Sequence, residues 1–178
     1  MPYTAATAVA FAQRQSGRYK DGECWTLIED AIVGAGGKSS IPQTQNFGPN
    51  VSYVWGKAIN VAALQVGDVV QYQSYAWTQT TRIDVTSPEG TSFSENFRTE
   101  GRGLPHHSGL VVSVISPGMV EVIEQNIPSR SGPVQTVQLA LSAPAASTVT
   151  TREGSTVTVT KITHSVSGTV RCYRPIAA

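Results

Sequence analysis

The sequence predicts an α+β fold, with N-terminal helices packed on an antiparallel β-sheet, and three observations carry that expectation. Apolar residues recur at helical spacing within the first 35 or so positions. After them come short runs rich in Val, Ile, Thr and Tyr. Two turn signals, Pro117-Gly118 and Glu153-Gly154, then join neighbouring runs as hairpins. Helices first and hairpins afterwards describe segregated layers rather than alternating βαβ units.

Thr4 is placed to cap a first helix through about Ser16, because Ala5, Ala6, Ala8, Val9, Ala10, Phe11 and Ala12 favour helix and Gly17 suits its end. A second helix starts at Cys24, where Cys24, Trp25, Leu27, Ile28, Ala31 and Ile32 form one apolar stripe. Asp21 precedes it as a capping carboxylate, and Gly34, Gly36 and Gly37 close it. Tyr53, Val54, Trp55 and Ala58 suggest a short helix before the Gly67-Asp68 turn leads into a strand, Val69 to Tyr72. Residues 74–104 are polar, with a turn at Glu89-Gly90, and read as a hairpin-bearing insertion or lid. Strands Ser108 to Ile115 and Met119 to Gln125 flank Ser116-Pro117-Gly118. A Thr-rich ribbon at about 134–163 and a last strand, Thr169 to Tyr173, complete the chain.

With 178 residues and 40% hydrophobic content, the chain fills one core, so a single domain over 1–178 is expected. The net charge of +1, with Lys and Arg scattered, excludes an electrostatic footprint for nucleic acid. No apolar run reaches the roughly 20 residues a bilayer requires, which argues against membrane insertion. The N-terminus lacks the pattern of a signal peptide, so a soluble protein with some other export route is expected. Cys24 and Cys172 formally allow one disulfide, but the fold does not need a staple and the spacing of a zinc site is missing.

The chemistry gathers around Cys24. A thiol attacks as thiolate, and a helix N-terminus stabilises that charge through its dipole and free amides, which also suit an oxyanion. A lone helical cysteine is more often a buried hydrophobe, so other residues must support the reading. The Pro117-Gly118 hairpin supplies them. With Ser116 facing Met119 and a regular ladder, Val111 lies opposite Glu124 and Gly109 opposite Asn126, so His107, Glu124 and Asn126 share one face. A carboxylate or amide oxygen on one imidazole nitrogen leaves the other free to exchange a proton with the thiol. His106 points to the opposite face by parity, and His164, in the ribbon without an acidic neighbour, reads as a surface residue. Tyr72, Tyr75 and Trp77 either line a groove or pack in the core.

Gly22-Glu23-Cys24 at a helix start, Trp55 ahead of Gly67-Asp68-Val69, then His107-Ser108-Gly109-Leu110-Val111 and Glu124-Gln125-Asn126 resemble the CHAP family, the cysteine, histidine-dependent amidohydrolases/peptidases. The resemblance spans about residues 17–72 and 105–127, with 168–175 as a closing strand. It implies a papain-like fold and a site of Cys24, His107, Glu124 and Asn126. It also implies cleavage of amide bonds in bacterial peptidoglycan, either within stem peptides or at the glycan-peptide amide. A protein of that kind acts in the cell wall or periplasm after phage release or signal-less secretion, with a cognate inhibitor or a delivery apparatus as further partners. Trp25 departs from the pattern, since members often carry a small or polar residue after the cysteine. Some relatives hold calcium, but Asp21 and Glu23 offer too few oxygen donors, so no metal or other cofactor is expected. The alternatives are a papain-like amidase, deamidase or transpeptidase on a non-wall substrate, and a non-catalytic structural or binding module of a phage or secretion apparatus.

Overall fold

A computed structural model describes residues 2–48, 51–129 and 131–178, with the backbone alone described at Leu104. Two helices, α1 (Ala5–Gln13) and α2 (Cys24–Gly34), precede strands β1 (Lys57–Ile59), β2 (Val69–Ser87), β3 (Gly90–Ser116), β4 (Met119–Glu124), β5 (Gln135–Ala140), β6 (Ser147–Glu153) and β7 (Thr156–Arg174). The strands form one antiparallel sheet in the order β1-β7-β2-β3-β4-β5, and β6 pairs with the early part of β7. Among the described residues, no helix is long and apolar enough to cross a membrane.

Helix α2 starts where the apolar stripe begins. The Asp21 carboxylate accepts the Glu23 N–H and the Thr26 hydroxyl, both exposed bonds that tie down the approach to the first turn. The stripe of Leu27, Ile28, Ala31 and Ile32 is fully buried and meets Ala8 and Ala12 of α1 and, across the sheet, Val69, Leu110, Ile123 and Tyr173. On the other face, Val70, Tyr72, Val111, Val122 and Cys172 pack with Leu64, Tyr75, Trp77 and Leu139 to Leu141. Tyr72, Tyr75 and Trp77 are therefore core residues.

Helix α1 ends at Gln13 rather than near Ser16, and Thr4 stands at its N-cap without a side-chain capping bond. Tyr53 to Ala58 is not a helix. Tyr53 and Trp55 both enter the core while Val54 between them is only half-buried, an alternation of extended chain, and Lys57–Ile59 pairs with β7. The sheet also dominates more than expected, because helices of 9 and 11 residues cover one face of one end only.

Residues 74–104 do form a hairpin that turns just before Gly90, but it is no separate insertion, since it continues strands β2 and β3. Together with β6 and the first half of β7, these residues extend the sheet into an arm. Body and arm meet at one level, where all three central strands are irregular. The β2–β3 register shifts between Gln73 and Tyr75, and the β2–β7 register between Gln73 and Ala76. Ser74 (φ 48°), Gly103 (φ 73°) and Gly168 (φ 78°) all have left-handed backbone there. A Cβ on Gly168 would strike the Ser74 carbonyl oxygen, so the position needs glycine for space as well as for its dihedral.

Candidate active site

The Pro117-Gly118 turn places Ser116 opposite Met119, as the sequence suggests, but the ladder beyond it is not regular. Val112 and Ile115 are each an extra residue on β3, so Val111 pairs with Val122 and not with Glu124. Each bulge turns the following side chains to the other face, and two of them restore the original parity. His107 and Glu124 consequently meet after all, with His107 Nε2 lying 2.9 Å from Glu124 Oε2 and both side chains buried.

Strand β4 ends at Glu124, and three successive residues there take three different jobs. Glu124 binds the imidazole. The Gln125 amide pairs with the backbone of Tyr19, accepting its N–H at 3.0 Å and donating to its carbonyl at 3.3 Å, and donates to the Glu23 carbonyl at 2.8 Å. Asn126, with φ 74°, donates its amide to the Glu23 carboxylate at 3.0 Å. The expected Asn126–imidazole contact is thus replaced by one to Glu23, because the left-handed backbone after β4 takes Asn126 out of the strand's alternation. Gln125 and Asn126 fasten the loop that leads into Cys24.

Cys24 is the first residue of α2 and is buried, and it acts on the His107 ring together with Glu124. Burial alone would lower the imidazole pKa, but the thiol and the carboxylate outweigh it and push the value up to about 9. With Nε2 engaged by Glu124, Nδ1 is the nitrogen left for the thiol. Burial also works against the Glu124 carboxylate, yet His107 and Arg102 hold its pKa below the ordinary range. Nothing in the sequence around Arg102 points to this role. Its Nε donates to both Glu124 oxygens at 2.8 and 3.0 Å and its Nη2 lies 2.8 Å from Oε1, with the residue only 3% exposed.

A cleft of about 490 Å³ opens beside these groups, walled by Glu23, by Thr99 to Gly103 and Pro105 to His107 on β3, and by Asn126 to Ser129. It lies where β4 has ended and left the outer edge of β3 unpaired among the described residues. His106 also lines the cleft, but its Nδ1 lies 3.5 Å from Ser52 Oγ and it is His107 that meets Glu124. His164 is not a simple surface residue, since it is half-buried and stacked on Trp77 at 5.8 Å. Cys172 is a free thiol in the second core, where burial pushes its pKa up to about 12. Among the described residues, no three of His, Cys, Asp or Glu are grouped as metal ligands.

Residues 3–178 match the family model of the AIM3/BBC1 cysteine proteinase-fold domain. No curated protein and no solved structure matches the chain. The match supports the papain-like fold that the likeness to CHAP enzymes implies, and not CHAP specifically. The chain belongs to the AIM3/BBC1 cysteine proteinase-fold family.

Proposed function

We infer that the protein is a thiol-dependent acyl-transfer enzyme acting on an amide carbonyl. The observation that carries the reading is the line Cys24–His107–Glu124, in which a buried carboxylate orients an imidazole toward a thiol at a helix start. The Cys24 thiolate attacks the carbonyl carbon, and the free N–H groups of the first turn of α2 receive the developing oxyanion. His107 then gives the proton taken from the thiol to the departing amine, leaving a thioester. Water or a second amine attacks the thioester, returns its proton through His107 to the sulfur, and releases an acid or a new amide. Hydrolysis and amide exchange share every residue and differ only in the second acceptor.

The narrower substrate, a peptidoglycan amide, rests on the resemblance to CHAP enzymes alone, and the family description names no cell-wall target. A direct test incubates the wild type and Cys24→Ala with purified peptidoglycan and, separately, with unfolded casein, and follows new amino groups and product masses. Release that depends on Cys24 supports the enzyme, and the substrate that yields it selects the class. Equal release by Cys24→Ala would exclude the mechanism.

A further inference from the structure

Arg102 lies midway along a chain of alternating charges that runs from the arm to the thiol. Arg98 meets Glu100 at 3.0 Å, Glu100 meets Arg102 at 3.3 Å, and Arg102 meets Glu124 at 2.8 Å. Glu124 then meets His107 at 2.9 Å, and His107 faces Cys24. The outer members are partly open to solvent, whereas Arg102, Glu124 and His107 are each 3% exposed or less. Exposed pairs such as Arg98–Glu100 contribute little, but a charge removed from the buried section has no water to replace it.

We propose that Arg102 is a positioning residue of the thiol site, whose buried guanidinium balances the charge of the Glu124, His107 and Cys24 cluster and so sustains the thiolate–imidazolium pair. Resting on the enzyme reading above, this extends the working site across the joint into the arm.

With Arg102 and the imidazolium positive and Glu124 and the thiolate negative, the buried cluster is neutral. Without the guanidinium it carries a net negative charge in low dielectric, and it must take up a proton. The proton goes either to the thiolate, which ends reactivity from the acid side, or to Glu124, which leaves the imidazolium unsupported and ends the pair from the alkaline side. In the first case the bell moves to higher pH, because the imidazolium, left with the carboxylate and relieved of the guanidinium, also holds its proton longer; in the second it narrows from the alkaline side. The other titratable groups facing the cluster do not compensate. Tyr72 and Tyr75, packed against it from β2, and Tyr53, which faces Cys24 from the segment before β1, are held above their ordinary pKa by burial and stay neutral. Glu100 adds a negative charge, and Glu23, at the cleft wall, is engaged by Asn126. The fork geometry contributes as well, since Nε and Nη2 fix the plane of the carboxylate and hence the side of it that His107 meets.

The test needs no substrate. The rate of Cys24 carboxymethylation by iodoacetate is followed across pH, with the site of modification read by mass spectrometry. An anionic reagent favours a thiolate beside an imidazolium, so the pair gives a bell whose width is its pH interval. For Arg102→Gln the acid limb is expected to move up, or the alkaline limb down, by about one pH unit or more, as loss of a buried charge implies. For Arg102→Lys, which keeps the charge and loses the fork, both limbs are expected to return with a lower maximum. Limbs unchanged in a folded Arg102→Gln protein overturn the proposal. Should that variant not fold, the lysine variant decides, because limbs displaced as far as charge loss implies would show that charge balance is not what Arg102 supplies. A wild-type Cys24 that reacts no faster than an ordinary thiol, with no bell, instead overturns the proposed function, and the two failures are distinct in the record.

Discussion

The body and the arm are built from the same strands and obey different physics. In the body, β2, β3 and β7 carry apolar side chains on both faces, one covered by α1 and α2 and the other by the second core cluster. In the arm, the same three strands with β6 stand without a helix over either face, and most side chains are half-buried or exposed, including Phe93 at 66% and Phe97 at 68%. The body is held by burial. The arm is held by the ladder, by cross-strand pairs, and by contacts such as Arg82 over the Phe93 ring at 4.7 Å. The lesson is that strand continuity in sequence does not imply continuity of stabilisation, and the candidate site sits where one regime passes into the other.

Mutations that treat the two halves differently sharpen this contrast. Ile28→Ala in the body is expected to cost about 2–5 kcal/mol in chemical denaturation, because a fully buried side chain leaves a cavity between α2 and the sheet. Gly168→Ala, at the joint, is expected to cost about 1–3 kcal/mol, from the positive φ and the approach of the Ser74 carbonyl. It is also expected to slow alkylation of Cys24, since Arg102 and His107 lie on either side of the same irregularity. A Gly168→Ala protein with unchanged melting would show that the joint is soft and not tightly built.

Acid and alkali provide a third probe. His107 is raised from 6.5 to about 9, so its contribution is complete below 6.5 and is lost as pH rises through about 9. Glu124 is lowered, so its contribution is present above the ordinary carboxylate value of 4.5 and disappears as pH falls through its folded value. Stability is expected to peak between these limits, and His107→Gln is expected to remove the alkaline limb. Persistence of that limb in a folded variant would assign it elsewhere. The smallest effect belongs to the arm. Phe93→Ala is expected to cost no more than about 1 kcal/mol, the size of one exposed cation–π contact, and a larger loss would reveal packing on that face.

Much of the site is legible in the sequence because it rests on local signals. The stripe from Cys24 fixes a helix start, and Pro117-Gly118 fixes a hairpin. Parity then brings His107 and Glu124 to one face, although that agreement depends on two bulges cancelling, and bulges at Val112 and Ile115 leave no mark in composition. Asn126 departs from the strand pattern because its own backbone is left-handed, which alternation along β4 does not foretell. Arg102 is hidden for another reason. It lies in a run of Arg, Glu, Thr and Gly that reads as solvated, and only the irregular joint of β2 and β3 buries it against a residue 22 positions away. Gln125 sits between two candidate residues on the supposedly unused face, and its partners are more than 100 positions distant.

The amide of Gln125 lies against the peptide of Tyr19 much as a neighbouring strand would, accepting one bond and returning another. The segment before Cys24 is therefore indexed to the end of β4 by the residue directly following the one that holds His107. Twist of the sheet that displaces the end of β4 carries the nucleophile's loop and the base's anchor along together. The separation of thiol and imidazole is in this way set by a ruler three residues long, Glu124 to Asn126, rather than by the dimensions of the whole sheet.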